Sequence, residues 1–297
     1  MRRLQMRQQT PLGVAVHAEP ALSGALLRAN VDRLFGSPLY RPPMLPTVAL
    51  RVLEQSRRSN ASYSEVVSLI ESDPLFSASV LKIASSPMYA SKSALRSIDQ
   101  ALLRMGLARL VDVCLEVALT ARVFRAPGFE RVMERVRRHS VAVGHVARLV
   151  AERTGAVGDD TFTLGLLHEV GVVAGLITLS TQALWPEGLP KGDHIPLVVD
   201  ERGSLTDKLV RAWCLPDSIA RGLSDLGRGS PPTDAGLASV IVANRLAELI
   251  GFAGANEAVH AAESEAEQQA RELLGLRLID LSELESVSKR LCSRMVC

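Results

Sequence analysis

An all-α, multi-helix protein is predicted from three features of the 297-residue sequence. Helix caps and apolar residues at helical spacing recur from residue 45 onward, and no segment sustains the alternation of a strand. Aromatics are only 4% while apolar residues reach 47%, so the core must come from Leu, Val, Ile and Ala, a mix that favours helices packed on helices. A chain of this length can bury a sizeable core.

Residues 1–43 read as a partly ordered lead-in, polar at first and then proline-rich at Pro38, Pro42 and Pro43. One short helix over 21–35 fits Leu22, Leu26 and Leu27 on a single face. Ser62 and Glu65 form a capping-box pattern ahead of Val66, Val67, Leu69 and Ile70. Asp73 and Pro74 supply an N-cap and an N1 proline to a helix expected to bury Leu75, Val80, Leu81 and Ile83. A helix over 97–105 stops at Gly106, and a strongly apolar one over 107–124 carries Leu110, Val113, Cys114, Val117 and Ala118. Arg125-Ala126-Pro127-Gly128 then reads as a break between two helical sub-bundles, about 44–126 and 128–252.

The second block opens with a long amphipathic helix over 130–154, stopped by Gly155. Asp159 or Asp160 is expected to cap the next, which carries Phe162, Leu164, Leu166 and Leu167. Residues 186–196, rich in proline and glycine, read as a surface loop. Helices resume over 205–213, with Trp213 as a core anchor, and then over 216–223 and 234–250. Residues 253–297 should add two C-terminal helices with an exposed Glu/Gln-rich start.

Several function classes are disfavoured. The four cysteines show no CxxC spacing, which argues against a zinc ribbon or disulfide scaffold. No apolar h-region follows Arg2, Arg3 and Arg7, and the longest apolar candidate, 170–179, is short for a membrane span. A cytoplasmic location without membrane contact is the expectation. The net charge of +2 divides into +9 through Arg138 and −7 after it. No aromatics interleave the basic residues, so a solvated face is favoured over a nucleic-acid surface. GxGxxG, P-loop, GxSxG and HExxH motifs are absent.

A series of segments, in order, carries a resemblance. Pro43-Met44-Leu45-Pro46 precedes Val52-Leu53, and Ile70-Glu71-Ser72-Asp73-Pro74-Leu75 follows. Next come Ala84-Ser85-Ser86-Pro87-Met88-Tyr89 and, beyond Ile98 and Ala101, Leu103-Arg104-Met105-Gly106. Last are Arg138-His139-Ser140, Gly165-Leu166-Leu167-His168-Glu169-Val170-Gly171 and Trp213-Cys214-Leu215-Pro216. Together they resemble the HDOD domain family, a degenerate relative of HD and HD-GYP phosphohydrolases, over about 44–251. Ser85 replaces that family's Asn.

The resemblance implies an HD-superfamily-like helical core behind the front sub-bundle. It also implies a non-catalytic bacterial regulatory module, in a family often linked to two-component and cyclic-dinucleotide signalling, that acts through a protein partner. Catalytic HD proteins hold a metal with His, His-Asp and a distant Asp, and the cation activates water and neutralises phosphate. Carried over, His139 and His168 stand for the histidines, Glu169 for the adjacent Asp and Asn244 for the distant one. Glu169 is one methylene longer and Asn244 lacks the charge. Arg202 and Asp225-Leu226 stand where auxiliary imidazoles would be, as pocket lining. These departures imply a vestigial site with no metal, cofactor or catalytic residue, and a buried His139–His168 pair. His145 is expected to project elsewhere, and His17, His194 and His260 to lie on loops or exposed faces. Two alternatives remain open: an HD-type phosphohydrolase of nucleotides or cyclic dinucleotides, and a ligand sensor keeping a phosphate pocket.

Overall fold

The computed structural model describes residues 47–58, 60, 62–89, 95–156, 160–180, 194–255 and 263–295, with Ala25, Ala29, Asp32, Arg33 and Ser37 of the lead-in. Every regular element among these residues is helical. The front group comprises α1 (Thr47–Ser56), α2 (Tyr63–Glu71), α3 (Pro74–Ala84) and α4 (Ile98–Arg122), with a 3-10 turn at Pro87–Tyr89. The rear group comprises α5 (Glu130–Thr154), α6 (Thr161–Leu167), α7 (Val170–Ser180), α8 (Ile195–Asp200), α9 (Arg202–Trp213), α10 (Asp217–Arg228) and α11 (Ala235–Leu249). Beyond them come α12 (Glu265–Leu273), α13 (Leu278–Cys292) and a 3-10 turn at Ser293–Met295.

Side-chain caps set several starts. Ser62 accepts from the Glu65 amide at 3.4 Å, Asp73 from Leu75 and Phe76 at 3.0 Å each, and Asp234 from Leu237 at 2.8 Å. The Ser62–Glu65 box is only half made, because the Glu65 carboxylate turns to Gln55 instead of the Ser62 amide. Asp160 precedes α6 without capping it. Its carboxylate is engaged by Arg57 and by the Ser218 hydroxyl. Gly106 breaks α4 internally at φ 79, ψ 169, and Gly155 closes α5 at φ 72, as their positions predict.

One apolar cluster runs through both groups, from Val52 and Ile70 through Leu110, Val143 and Phe162 to Trp213 and Leu237. α4 lies on α1 and α3, α5 on α6 and α11, and α9 on α7 and α10. Each fully buried Leu, Ile, Val or Phe contributes about 1.5–3 kcal/mol. Trp213, 1% exposed, is the anchor expected of it.

Other expectations need correction. Leu75 is 83% exposed, while Phe76, Val80 and Ala84 form the buried face of α3; Leu81 and Ile83 are half-buried. Pro196 opens α8 instead of sitting in a loop, and α10 continues past Leu223 to Arg228. Thr161–Ser180 is long and apolar enough to cross a membrane by length and composition, more than the sequence reading allowed. It is broken between α6 and α7 at His168-Glu169, and 83% of its most apolar window is buried, so it serves as core. Most of the 21–35 helix, residues 186–193, His17, His260 and Cys297 lie outside the described residues.

Candidate functional site

The middle of α5 presents Arg135, Arg138 and His139 on one side, at i, i+3 and i+4. α6 crosses α5 closely, because Gly165 meets Gly144; a Cβ on Gly165 would stand 2.8 Å from the Gly144 Cα. That approach carries the turn after α6, with His168 and Glu169, against His139.

Hydrogen bonds fix both imidazoles. His139 donates from Nδ1 to the Phe252 carbonyl at 2.6 Å, and His168 donates from Nδ1 to the Gly165 carbonyl at 2.7 Å. A carbonyl only accepts, so both Nδ1 atoms carry the hydrogen and each neutral ring keeps a lone pair on Nε2. These two Nε2 atoms face each other at 3.1 Å, with the ring centroids 5.0 Å apart. Asn244 of α11 places its Oδ1 2.9 Å from His139 Nε2, while its amide nitrogen donates to Glu248 at 3.4 Å. Glu169 completes the group. One donor atom each from His139, His168 and Glu169 lies within 4.8 Å of the others, and Glu169 Oε2 is buried without a hydrogen-bond partner.

Convergent lone pairs beside a carboxylate call for a cation, either a proton or a metal. Burial, then the neighbouring His139, pushes His168 down to about 3; the Gly165 carbonyl and Asn244 pull the other way, and Arg202 adds to the depression. The spacing also fits the divalent metal of the catalytic HD scheme. With metal–nitrogen distances of about 2.0–2.1 Å, two tetrahedral ligands stand roughly 3.3 Å apart.

A short segment packs against His139 and Glu169. Phe252, Gly254 and Ala255 follow α11, and Gly254 rests on the Glu169 carboxylate, where a Cβ would come within 2.7 Å of Oε1. Arg135 donates to the Gly254 carbonyl at 3.0 Å and to that of Ala255 at 3.2 Å, and the Arg138 guanidinium lies 5.4 Å from the Phe252 ring centroid.

The structure thus brings His139, His168, Glu169 and Asn244 together. Arg202 turns its guanidinium to the Val199 carbonyl at 3.2 Å. Asp225 lines a cleft of about 810 Å³ between α6, α10 and α11, with Asp160, Arg221 and Asp234. None of the four His-site residues lines that cleft.

A second polar cluster escaped the sequence reading. His145 is buried, with Glu116 of α4 at 3.5 Å and the rings of Tyr89 and Phe162 edge-on at 5.4 and 5.1 Å. Tyr89 donates its hydroxyl to Glu116 at 3.1 Å, and Arg148 pairs with the buried Asp112. The available signal was Asp112 and Glu116 standing inside the apolar run of α4.

Comparison with known proteins sets this geometry in a family context. The HDOD domain family model matches residues 43–224. An HDOD domain protein of unknown function from Geobacter sulfurreducens superposes with a TM-score of 0.68 at 20% identity, over 92% of this chain and 97% of its own. A protein from Shewanella amazonensis SB2B, named as a candidate metal-dependent phosphohydrolase, gives 0.65 at 21% identity, over 92% and 99%. At such identities the likeness speaks for the fold alone. A curated relative from Treponema pallidum (strain Nichols), itself uncharacterized, is 24% identical over 228 residues, which is 72% of this chain but only 41% of that protein.

Proposed function

Because this chain belongs to the HDOD domain family, we propose that it is a non-catalytic, cytoplasmic module of bacterial signal transduction that works through protein–protein contacts. The observation that carries this reading is the neutral oxygen that Asn244 sets against His139 Nε2, where the catalytic scheme needs a carboxylate. The two Nε2 atoms face each other, the Phe252 carbonyl accepts from His139 Nδ1, and Gly254 rests on the Glu169 carboxylate.

A bound divalent cation would be held by His139, His168 and Glu169 and would supply Lewis-acid polarisation of water or phosphate. This chain's own residues offer little beyond that. Asn244 contributes a neutral oxygen where the catalytic relatives have a carboxylate, and Arg202, Asp225 and Leu226 contribute no imidazole. The rival reading, an HD-type phosphohydrolase of nucleotides or cyclic dinucleotides, draws on the same convergence of donors.

Hydrolysis assays with Mn²⁺, Mg²⁺ or Fe²⁺, beside a His168→Ala control, separate the two. Equal and negligible rates support the regulatory reading, and turnover that vanishes in the control overturns it. Co-purification from the native cell then identifies the partner.

A further inference from the structure

The second polar cluster lies where the front and rear groups meet, away from the His site. α4 offers Asp112 and Glu116, one turn apart, and α5 answers with Arg148 and His145. Tyr89 donates to Glu116 from the turn after α3, and Phe162 of α6 lies edge-on to His145. Asp112 and His145 are both buried.

Both pairs across this joint are incomplete. Arg148 reaches Asp112 end-on through Nη2, and its Nε is buried without an acceptor. The pair therefore lacks the two-pronged contact that best offsets the burial of a carboxylate. His145 Nε2 is also buried without a hydrogen-bond partner, 3.5 Å from a Glu116 oxygen that already accepts from Tyr89. A proton relieves each pair. On Asp112 it removes the buried charge, and on His145 it supplies an N–H that Glu116 can accept.

We propose that the α4–α5 joint is a proton-operated coupling, tight while Asp112 holds a proton and slackened when it ionises, through which the front group shifts on the rear group. It operates whether or not the His site is catalytic. The apolar cluster shared by the two groups keeps them in contact in either state, so the change is a shift and not a separation. In the slackened joint water reaches the Asp112 carboxylate and the two orphaned nitrogens, and the cost of burying them falls away. The electrostatics agree. Burial pushes Asp112 up to about 7 against the pull of Arg148 and then Arg109, and Glu116 adds to the rise. The other charged groups at the joint are Glu152, paired with Arg109, and Arg137, within reach of Glu116. Tyr89 is pushed well above its ordinary range by burial and then by Glu116, so it stays protonated. A carboxyl in water titrates at 3.8, so the tight joint holds the extra proton between 3.8 and about 7. Slackening therefore becomes easier as pH rises through that range and levels off above it.

Distances between spin labels on the two groups test this in the full chain. One label goes on the exposed thiol of Cys214 in the rear group, the other on the exposed face of α3 through Ser79→Cys, in a chain also carrying Cys297→Ser. Cys114 and Cys292 are buried. Pulsed electron paramagnetic resonance at pH 6, 7 and 8 should show a second distance whose population relative to the first grows about tenfold from pH 6 to 8. In Asp112→Asn, which cannot ionise, that growth should be absent. Glu116→Gln should keep the growth but start from a larger second population at pH 6, because His145 has lost its anionic acceptor. Thermal melting checks that each variant is folded, and Asp112→Asn/Arg148→Met carries the test if Asp112→Asn is not. One unchanging distance from pH 6 to 8 would overturn the coupling. Growth that persists undiminished in the folded Asp112 variants would overturn it as well, by assigning the response to another group. A second distance that arrives together with a loss of helical circular dichroism would report global unfolding and likewise overturn it.

Discussion

Protonating His168 places a positive charge in a buried site beside His139, and burial is the larger of the two forces that resist it. The side chain titrates at about 3 in the fold, against 6.5 for an ordinary imidazole. The folded state therefore binds fewer protons than the unfolded chain between those values, and acid favours unfolding. The stability associated with the neutral ring is complete above about pH 6.5 and is lost as pH falls toward 3. A His168→Gln variant removes this linkage. Thermal melts between pH 4 and 7 should show the wild type losing stability with acid more steeply than the variant, and parallel curves would count against the assigned environment. The site around this residue was only partly legible. His139 and Asn244 lie 105 positions apart and were joined by resemblance, since no periodicity links them. Arg135 and the carbonyls it holds left no trace, because a backbone acceptor has no side-chain signature and an arginine on an amphipathic helix looks solvated.

At the scale of elements, the crossing of α5 and α6 depends on glycine at Gly165. An added Cβ would come within 2.8–3.0 Å of the Gly144 backbone, which cannot swing aside as a flexible side chain can. Gly165→Ala should therefore cost about 1–3 kcal/mol in urea denaturation, as overpacked cores do. The altered histidine environment should show in the His139 and His168 ring resonances by NMR. The helices themselves were readable because caps and apolar spacing are local properties. Asp73, Ser97 and Asp234 cap as their types suggest. The phase of α3 was not readable, because Leu75 and Phe76 are both apolar and only the packed neighbours select the face through Phe76, Val80 and Ala84. Leu75→Ser should change stability by less than about 0.5 kcal/mol. Phe76→Ala should cost about 3–5 kcal/mol. Chemical denaturation of the two variants tests the register directly.

Across the whole molecule, the front and rear groups meet along a ladder of polar pairs between α4 and α5. Arg109 pairs with Glu152, Asp112 with Arg148 and Glu116 with His145, so each step along α4 is matched by a step back along α5. The outer rung is solvated and contributes little. The middle rung differs, since Asp112 is only 4% exposed and its carboxyl is pushed up to about 7 by burial, against the pull of Arg148 and then Arg109. A folded value above the unfolded one means that the folded state binds the extra proton. This contribution to stability is fully present below about pH 4 and is lost as pH rises through 7, opposite in sign to that of His168. At pH 8 the buried carboxylate depends on Arg148, and truncating either partner strands the other. Arg148→Met should then cost about 3–5 kcal/mol, while Asp112→Asn should cost less, because the guanidinium is partly exposed and can reach water. The double variant Asp112→Asn/Arg148→Met should recover most of the loss, because removing both charges leaves neither one buried alone. Urea denaturation of the four proteins at pH 8 gives the coupling directly, and additive losses would mean that the two groups do not depend on each other across the joint.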